Sequence, residues 1–72
     1  MLLVTCPLGD ATVWVDERLV GEVREVRGGI LIDPGPHRIE IRRELHYPKY
    51  FEVDARAGER RPLACDLVPQ PE

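Results

Sequence analysis

The chain has 72 residues, of which 43% are hydrophobic and 32% charged, and its net charge is −3. This length allows one small domain, and the composition is typical of a folded chain rather than a disordered one. The acidic balance and the absence of a basic stripe argue against a nucleic-acid partner. No apolar run approaches the roughly 18–20 residues of a membrane span, so direct membrane insertion is not expected.

Apolar residues alternate with period two along most of the chain, and Pro and Gly interrupt the alternation about every ten residues. This pattern predicts an all-β fold: a small two-sheet antiparallel β-sandwich of about six or seven short strands. The first four strands are predicted at residues 2–6, 11–16, 19–24 and 29–32. A fifth follows the turn at residues 33–36 and runs to about residue 44, and the last two cover residues 50–56 and 62–68. The domain therefore spans residues 1–68, and residues 69–72 form a tail or linker.

The run Asp33-Pro34-Gly35-Pro36 has a backbone explanation at every position. Pro34 suits the first central position of a β-turn, and Gly35 suits the second, where a type II turn needs positive φ. Pro36 lacks an N–H group, so it fits the start of a strand or an edge. A phosphate-binding loop would need free N–H groups and a following helix, so we interpret this segment as a turn.

The two histidines do not form a metal-binding pattern with the two cysteines. His37 shares the parity of Ile39 and Ile41, which predicts a partly buried side chain bonded to a loop carbonyl. His46 lies in a different loop. Because no Cys-x-x-Cys or closely spaced His pair is present, a metal site is not expected.

Cys6 and Cys65 lie near opposite ends of the chain, both at inward positions of predicted strands. A disulfide is open to them if the first and last strands are neighbours, and it would stabilise the fold by about 2–4 kcal/mol. Free buried thiols are the alternative that we favour, because a cross-strand disulfide needs a particular geometry. A catalytic thiol would need an exposed, electropositive setting, which the inward parity argues against.

The sequence contains no serine, and its acidic residues are scattered at outward positions, so we expect no enzymatic activity. Trp14 is the most informative surface candidate, because parity places it opposite the inward Val13 and Val15. It either covers a neighbouring strand or anchors a partner, since Trp, Tyr and Arg are common at binding hot spots. The residues that would extend such a surface are Tyr47, Tyr50, Arg42 and Arg43.

In chain order, several short segments resemble the PEGA domain family. They are Val4-Thr5-Cys6, Ala11-Thr12-Val13-Trp14-Val15-Asp16, Val20-Gly21, Pro34-Gly35-Pro36-His37, Tyr47, Val53, Ala57-Gly58-Glu59, Leu63, Leu67 and Pro69. The resemblance covers nearly the whole chain. The sequence departs from the family pattern at Glu17, where a glycine is usual, and in having Cys6 and Cys65.

The resemblance implies a small non-catalytic β-sandwich, a module of a larger bacterial protein of the cell envelope or beside a protein kinase. It implies contacts with protein or polysaccharide and no catalytic, metal or cofactor residues. The main alternative is a structural spacer that positions a neighbouring domain without a ligand of its own. Weak homo-oligomerisation stays open, and an extracytoplasmic location is slightly favoured over the cytoplasm, where the cysteines would stay reduced.

Overall fold

The computed structural model describes residues 1–71 and confirms an all-β domain with six strands in two sheets. The strands are β1 (Leu2–Thr5), β2 (Thr12–Val15), β3 (Arg18–Glu22), β4 (Gly35–Arg42), β5 (Lys49–Ala55) and β6 (Arg61–Ala64). A 3-10 turn at Val23–Glu25 follows β3. Within residues 1–71, no helix is long and apolar enough to cross a membrane.

The larger sheet has four antiparallel strands in the order β3-β2-β4-β5. β2 and β3 are joined by the two-residue loop Asp16-Glu17, in which φ is 50° and 69°. Positive φ at both loop residues is the property of type I′ turns, whose twist matches that of the flanking strands. The hairpin therefore forms although Glu17 stands where the family pattern has glycine.

The smaller sheet pairs β1 with β6, and the two strands run parallel, whereas the sequence analysis expected antiparallel pairing throughout. The reason is topological: these strands are the first and last of the fold, so no tight turn forces them to run in opposite directions. The amide of Cys65 donates to the carbonyl of Thr5 at 2.7 Å just beyond the paired residues. This contact brings Cys65 beside Cys6, with their Cα atoms 4.8 Å apart, and the structure pairs them as a disulfide rather than as the free thiols we favoured.

The core lies between the two sheets, which makes the fold a two-layer sandwich. The inner face of the larger sheet contributes Val13, Ile39 and Ile41, all with 0% exposure. The smaller sheet covers them with Leu2, Val4, Leu63 and Cys65, and the remaining buried core residues are Ala11, Val23, Ile30, Val53 and Leu67. The predicted period-two alternation therefore identified the inward positions of both layers.

Three predicted strand segments differ in the structure; the last one, expected over residues 62–68, ends at Ala64. Residues 29–32 form no strand; the segment is held by a single bridge, in which the amides and carbonyls of Leu2 and Ile30 exchange hydrogen bonds of 2.8 Å. Gly29 precedes this bridge with φ of 113°, a value that interrupts a regular strand. β3 ends at Glu22 rather than residue 24, because the chain turns there into the 3-10 segment.

The Asp33–Pro36 segment leads into β4 as expected, but the chain only bends at Pro34, and the strand begins at Gly35, inside the predicted turn. Gly35 has φ of 120° and begins the strand, paired with Ala55. Pro36 follows at a position beyond the reach of β2, whose pairing with β4 begins at Ile39. Its missing N–H therefore costs no ladder hydrogen bond.

The predicted tail at residues 69–72 is partly engaged with the domain. Pro69 bridges to His46, and the amide of Gln70 donates to the carbonyl of Leu45 at 2.8 Å. Glu72 lies outside the described residues.

Candidate functional site

The outer face of the four-stranded sheet brings together three of the predicted binding residues, namely Trp14, Arg42 and Tyr50. In the register, Trp14 of β2 lies opposite Glu40 of β4, and Glu40 lies opposite Tyr50 of β5. Directly opposed residues point to the same face of a sheet, so these three side chains form a row across it. Arg38 and Arg42 flank Glu40 on β4 with the same parity. We call these five residues the aromatic–arginine face.

Trp14 is half-buried on this face. Its indole N–H donates to Thr12 Oγ1 at 3.1 Å, so the polar edge of the ring is satisfied within its own strand. The guanidinium carbon of Arg42 lies 4.2 Å from the ring centroid, which is a cation–π contact. The ring therefore supports a neighbouring side chain and still reaches solvent.

Arg42 is fixed by a second contact, to Glu40. Its Nη2 donates to Glu40 Oε1 at 2.8 Å, and its Nε donates to the other carboxylate oxygen. These paired hydrogen bonds lower the pKa of Glu40 and raise that of Arg42, because each favours the charged form of both groups. The guanidinium is thereby held between a carboxylate and an aromatic ring, with one amino group directed away from Glu40.

A second cation–π contact lies one strand further along the sheet. The guanidinium carbon of Arg38 lies 4.8 Å from the centroid of the Tyr50 ring, and Tyr50 is 48% exposed. A depression of about 300 Å³ lies between the two stacked pairs; its lining residues are Glu17, Arg38, Glu40, Arg42 and Tyr50. The ring of Tyr50, both guanidinium groups and the carboxylate of Glu40 therefore line this shallow depression, and the Trp14 ring lies beyond Arg42. These groups suit recognition through stacking and charged hydrogen bonds.

Two residues proposed to extend this surface lie elsewhere. Tyr47 is half exposed in the loop before β5, where its amide donates to the carbonyl of Val68 at 2.9 Å. Arg43 follows β4, and its Nε donates to Asp10 Oδ1 at 2.8 Å. This contact lowers the pKa of Asp10 and raises that of Arg43. The sequence analysis grouped both residues with Trp14, but their position after the end of β4 separates them from its strand register.

Arg38 and Glu40 are the members of the face that the sequence analysis did not select. Strand parity already placed both on the outer side of β4. The missing signal was the register between strands, which determines that Glu40 lies opposite both Trp14 and Tyr50. That register depends on long-range pairing, and a single sequence does not reveal it.

His37 forms a separate polar cluster at the end of the sheet. Its Nε2 contacts the carbonyl of Asp33 at 2.6 Å, which confirms the predicted bond to a loop carbonyl. Its Nδ1 contacts Asp16 Oδ2 at 2.6 Å, a partner that the sequence did not indicate. Carboxylate and carbonyl oxygens only accept hydrogen bonds, so both ring nitrogens must donate, which requires the imidazolium form. Accordingly, the hydrogen bond with Asp16 and that with the Asp33 carbonyl raise the pKa of His37.

Asp16 is the centre of this cluster. Its Oδ1 accepts a hydrogen bond from the amide of Arg38 at 2.9 Å, and its own amide donates to the Arg38 carbonyl at 2.8 Å. The hydrogen bonds from Arg38 and His37 lower the pKa of Asp16. The Asp16 carboxylate thus connects the β2–β3 turn to His37 and Arg38 of β4. These contacts indicate a structural role for the Asp16–His37 pair.

No protein-family model, curated protein or solved structure matches this chain. The resemblance to PEGA domains therefore stays a prediction from the sequence.

Proposed function

We propose that the chain is a non-catalytic interaction module of a larger bacterial protein, either of the cell envelope or associated with a kinase. The module contacts its partner, a protein or a polysaccharide, through the aromatic–arginine face. The observation that carries this proposal is the convergence of Trp14, Arg42 and Tyr50 on one solvent-facing side of the sheet. These residue types are the ones enriched at binding hot spots. The ordered resemblance to PEGA domains supports the same role.

The geometry favours a protein partner over a polysaccharide. Sugar rings commonly pack against open aromatic faces, whereas Arg42 lies over Trp14 and Arg38 lies over Tyr50. A protein surface can use the stacked guanidiniums directly, since they are already oriented and lose little conformational freedom on binding. A polysaccharide would first have to displace them.

A spacer without a ligand is the second candidate, and one observation favours it. Arg42 is paired with Glu40, and the indole N–H of Trp14 is bonded to Thr12, so these groups are satisfied without a partner. A spacer would need only this solvated, self-paired surface.

Comparative capture tests the proposal. The immobilised domain would be incubated with bacterial envelope extract alongside its Trp14→Ala, Arg42→Ala and Tyr47→Ala variants. We expect one partner to be retained by the parent domain and by Tyr47→Ala, and to be lost from the other two. Tyr47→Ala is the matched control, because it also removes a half-exposed side chain but lies outside the face.

A direct titration separates the candidate partners. The chain has a single tryptophan, so its fluorescence reports on this face alone. Quenching by the captured protein, lost in Arg42→Ala, supports the protein partner, and quenching by soluble envelope glycans supports the polysaccharide. Equal capture by all four forms, or unfolding of Trp14→Ala, contradicts the proposed surface. The absence of any response favours the spacer.

A further inference from the structure

The free strand edges of this fold are protected to different degrees. At β3, the 3-10 turn folds back over the end of the strand: the amide of Val26 donates to the carbonyl of Glu22 at 3.2 Å, and the amide of Glu22 donates to Glu25 Oε1 at 2.9 Å. At β6, Pro62 removes a donor from the strand. β5 ends the larger sheet with seven residues that include neither proline nor glycine. Long, regular edges of this kind are uncommon unless they are covered or used.

The backbone groups that β5 directs outward follow from the hydrogen bonds of β4. The amide and carbonyl of Arg38 both bond to Asp16, so even-numbered residues of β4 direct their backbone toward β2. Odd-numbered residues then pair with β5, where Phe51 lies opposite Ile39. Antiparallel ladders alternate in this way, so Tyr50, Glu52 and Asp54 direct their N–H and C=O groups away from the sheet.

The side chains along this edge are acidic on the outer side and apolar on the inner side. Glu52 and Asp54 are exposed, and no ion pair among residues 1–71 includes either carboxylate. Phe51 is only partly buried, and Val53 is buried beside it. A strand placed here would meet the carboxylates of Glu52 and Asp54 on the outer side and the apolar Phe51 and Val53 on the inner side.

We propose that the β5 edge binds an extended segment of a protein partner as a fifth strand of the sheet. The segment alternates basic and apolar residues, so that Lys or Arg face Glu52 and Asp54 while apolar side chains continue the inner face beside Phe51 and Val53. Main-chain hydrogen bonds supply the contact and the alternating side chains supply selectivity, as in other cases of strand addition. This inference rests on the proposed function as an interaction module, and it specifies the kind of partner: an extended segment of alternating basic and apolar residues.

Charge argues against a second copy of the chain as the occupant. Antiparallel pairing of two β5 strands over their full length places Glu52 opposite Glu52 of the other copy and Tyr50 opposite Asp54. Like charges directly opposed across strands are destabilising. A basic segment removes this conflict.

Amide hydrogen exchange with a defined probe tests the proposal. The probe is a capped peptide that alternates Lys and Val over seven residues. We expect the amides of Tyr50, Glu52 and Asp54 to exchange quickly in the free domain and slowly with the probe. The amides of Phe51 and Val53 are the internal control, because they are already bonded to β4 and should change little.

Three further changes keep the test independent of any one variant's folding. Glu52→Pro removes an outward N–H while leaving the β4–β5 ladder intact, and N-methylation of the probe at alternate residues removes the matching donors from the other side. Each should weaken binding by about tenfold. Reversing both carboxylates, Glu52→Lys with Asp54→Lys, should weaken the Lys–Val probe by about tenfold and favour a Glu–Val probe instead.

The outcomes separate this inference from the proposed function. Protection confined to Tyr50, Glu52 and Asp54, and lost on N-methylation, supports strand addition. Equal binding of the Lys–Val and Glu–Val probes, or no protection at all, overturns it. Protection that rises with protein concentration in the absence of probe would instead identify a second copy as the occupant and also overturns it. Capture that depends on Trp14 would survive any of these failures, since none of the edge variants alters Trp14 or Arg42.

Discussion

The two faces of the four-stranded sheet are built from alternate residues of the same strands, yet they perform different tasks. On the inner face, Val13, Ile39 and Ile41 are completely buried and contact the smaller sheet. On the outer face, Trp14 and Arg42 contact each other and remain open to solvent. The inner face therefore supplies stability through apolar burial, whereas the outer face holds its groups in place through stacking and ion pairs. Substitutions should separate the two contributions.

The largest difference is expected between truncations on the two faces. Ile39→Ala removes a fully buried side chain between the sheets and should lower the free energy of unfolding by about 3 kcal/mol. Trp14→Ala, on the outer face of the paired strand, should lower it by only about 1 kcal/mol, because the site is open and no enclosed cavity forms. Urea unfolding monitored by circular dichroism measures both. Similar losses would show that Trp14 belongs to the core rather than to a surface.

A second difference concerns what keeps the inner face covered. The smaller sheet consists of only β1 and β6, and Cys6 and Cys65 join its strands across 59 residues of sequence. Removing a crosslink over a loop of this length should lower the free energy of unfolding by about 2–4 kcal/mol, mainly because the unfolded chain gains conformational entropy. The double variant Cys6→Ala, Cys65→Ala and the reduced parent protein should therefore unfold at similarly lower urea concentrations than the oxidised parent.

The control for the crosslink is the same comparison under reducing conditions. Reductant should shift the unfolding midpoint of the parent but leave that of the double variant unchanged. A parent protein that shows two free thiols in its native state and no shift with reductant would contradict the disulfide.

Period-two patterning was sufficient to predict the all-β class and the inward residues, and the proline–glycine run at residues 33–36 indicated where β4 begins. It could not predict pairing between distant strands. The parallel pairing of β1 with β6 and the position of Glu40 between Trp14 and Tyr50 both depend on such long-range register. Residues 29–32 were predicted as a strand, but Gly29 has a positive φ and the segment forms a single bridge, at Ile30.

The smallest expected effect is a dependence of stability on pH at the end of the sheet, where the His37 side chain is 14% exposed. The hydrogen bonds to Asp16 and to the carbonyl of Asp33 raise the pKa of His37 above its ordinary value of 6.5. The stabilisation is therefore complete below pH 6.5 and is lost as pH rises through the folded pKa. Asp16 behaves oppositely, because its pKa is lowered from 3.8: its contribution is present above that value and is lost as pH falls through the folded pKa.

Substitutions test whether the His37–Asp16 pair causes this dependence of stability on pH. Asp16 and the carbonyl of Asp33 bond to the imidazole, and Arg18 lines the same depression without a bond to it. His37→Gln should make the unfolding free energy depend less on pH above pH 6.5, and Asp16→Asn should do the same because the amide no longer favours the imidazolium. His46→Gln is the matched control, since His46 lies in the loop before β5 and contacts neither residue; it should keep the slope of the parent protein. A slope that survives His37→Gln would mean that another group carries it, and an NMR titration of the His37 ring carbons would then show an ordinary pKa.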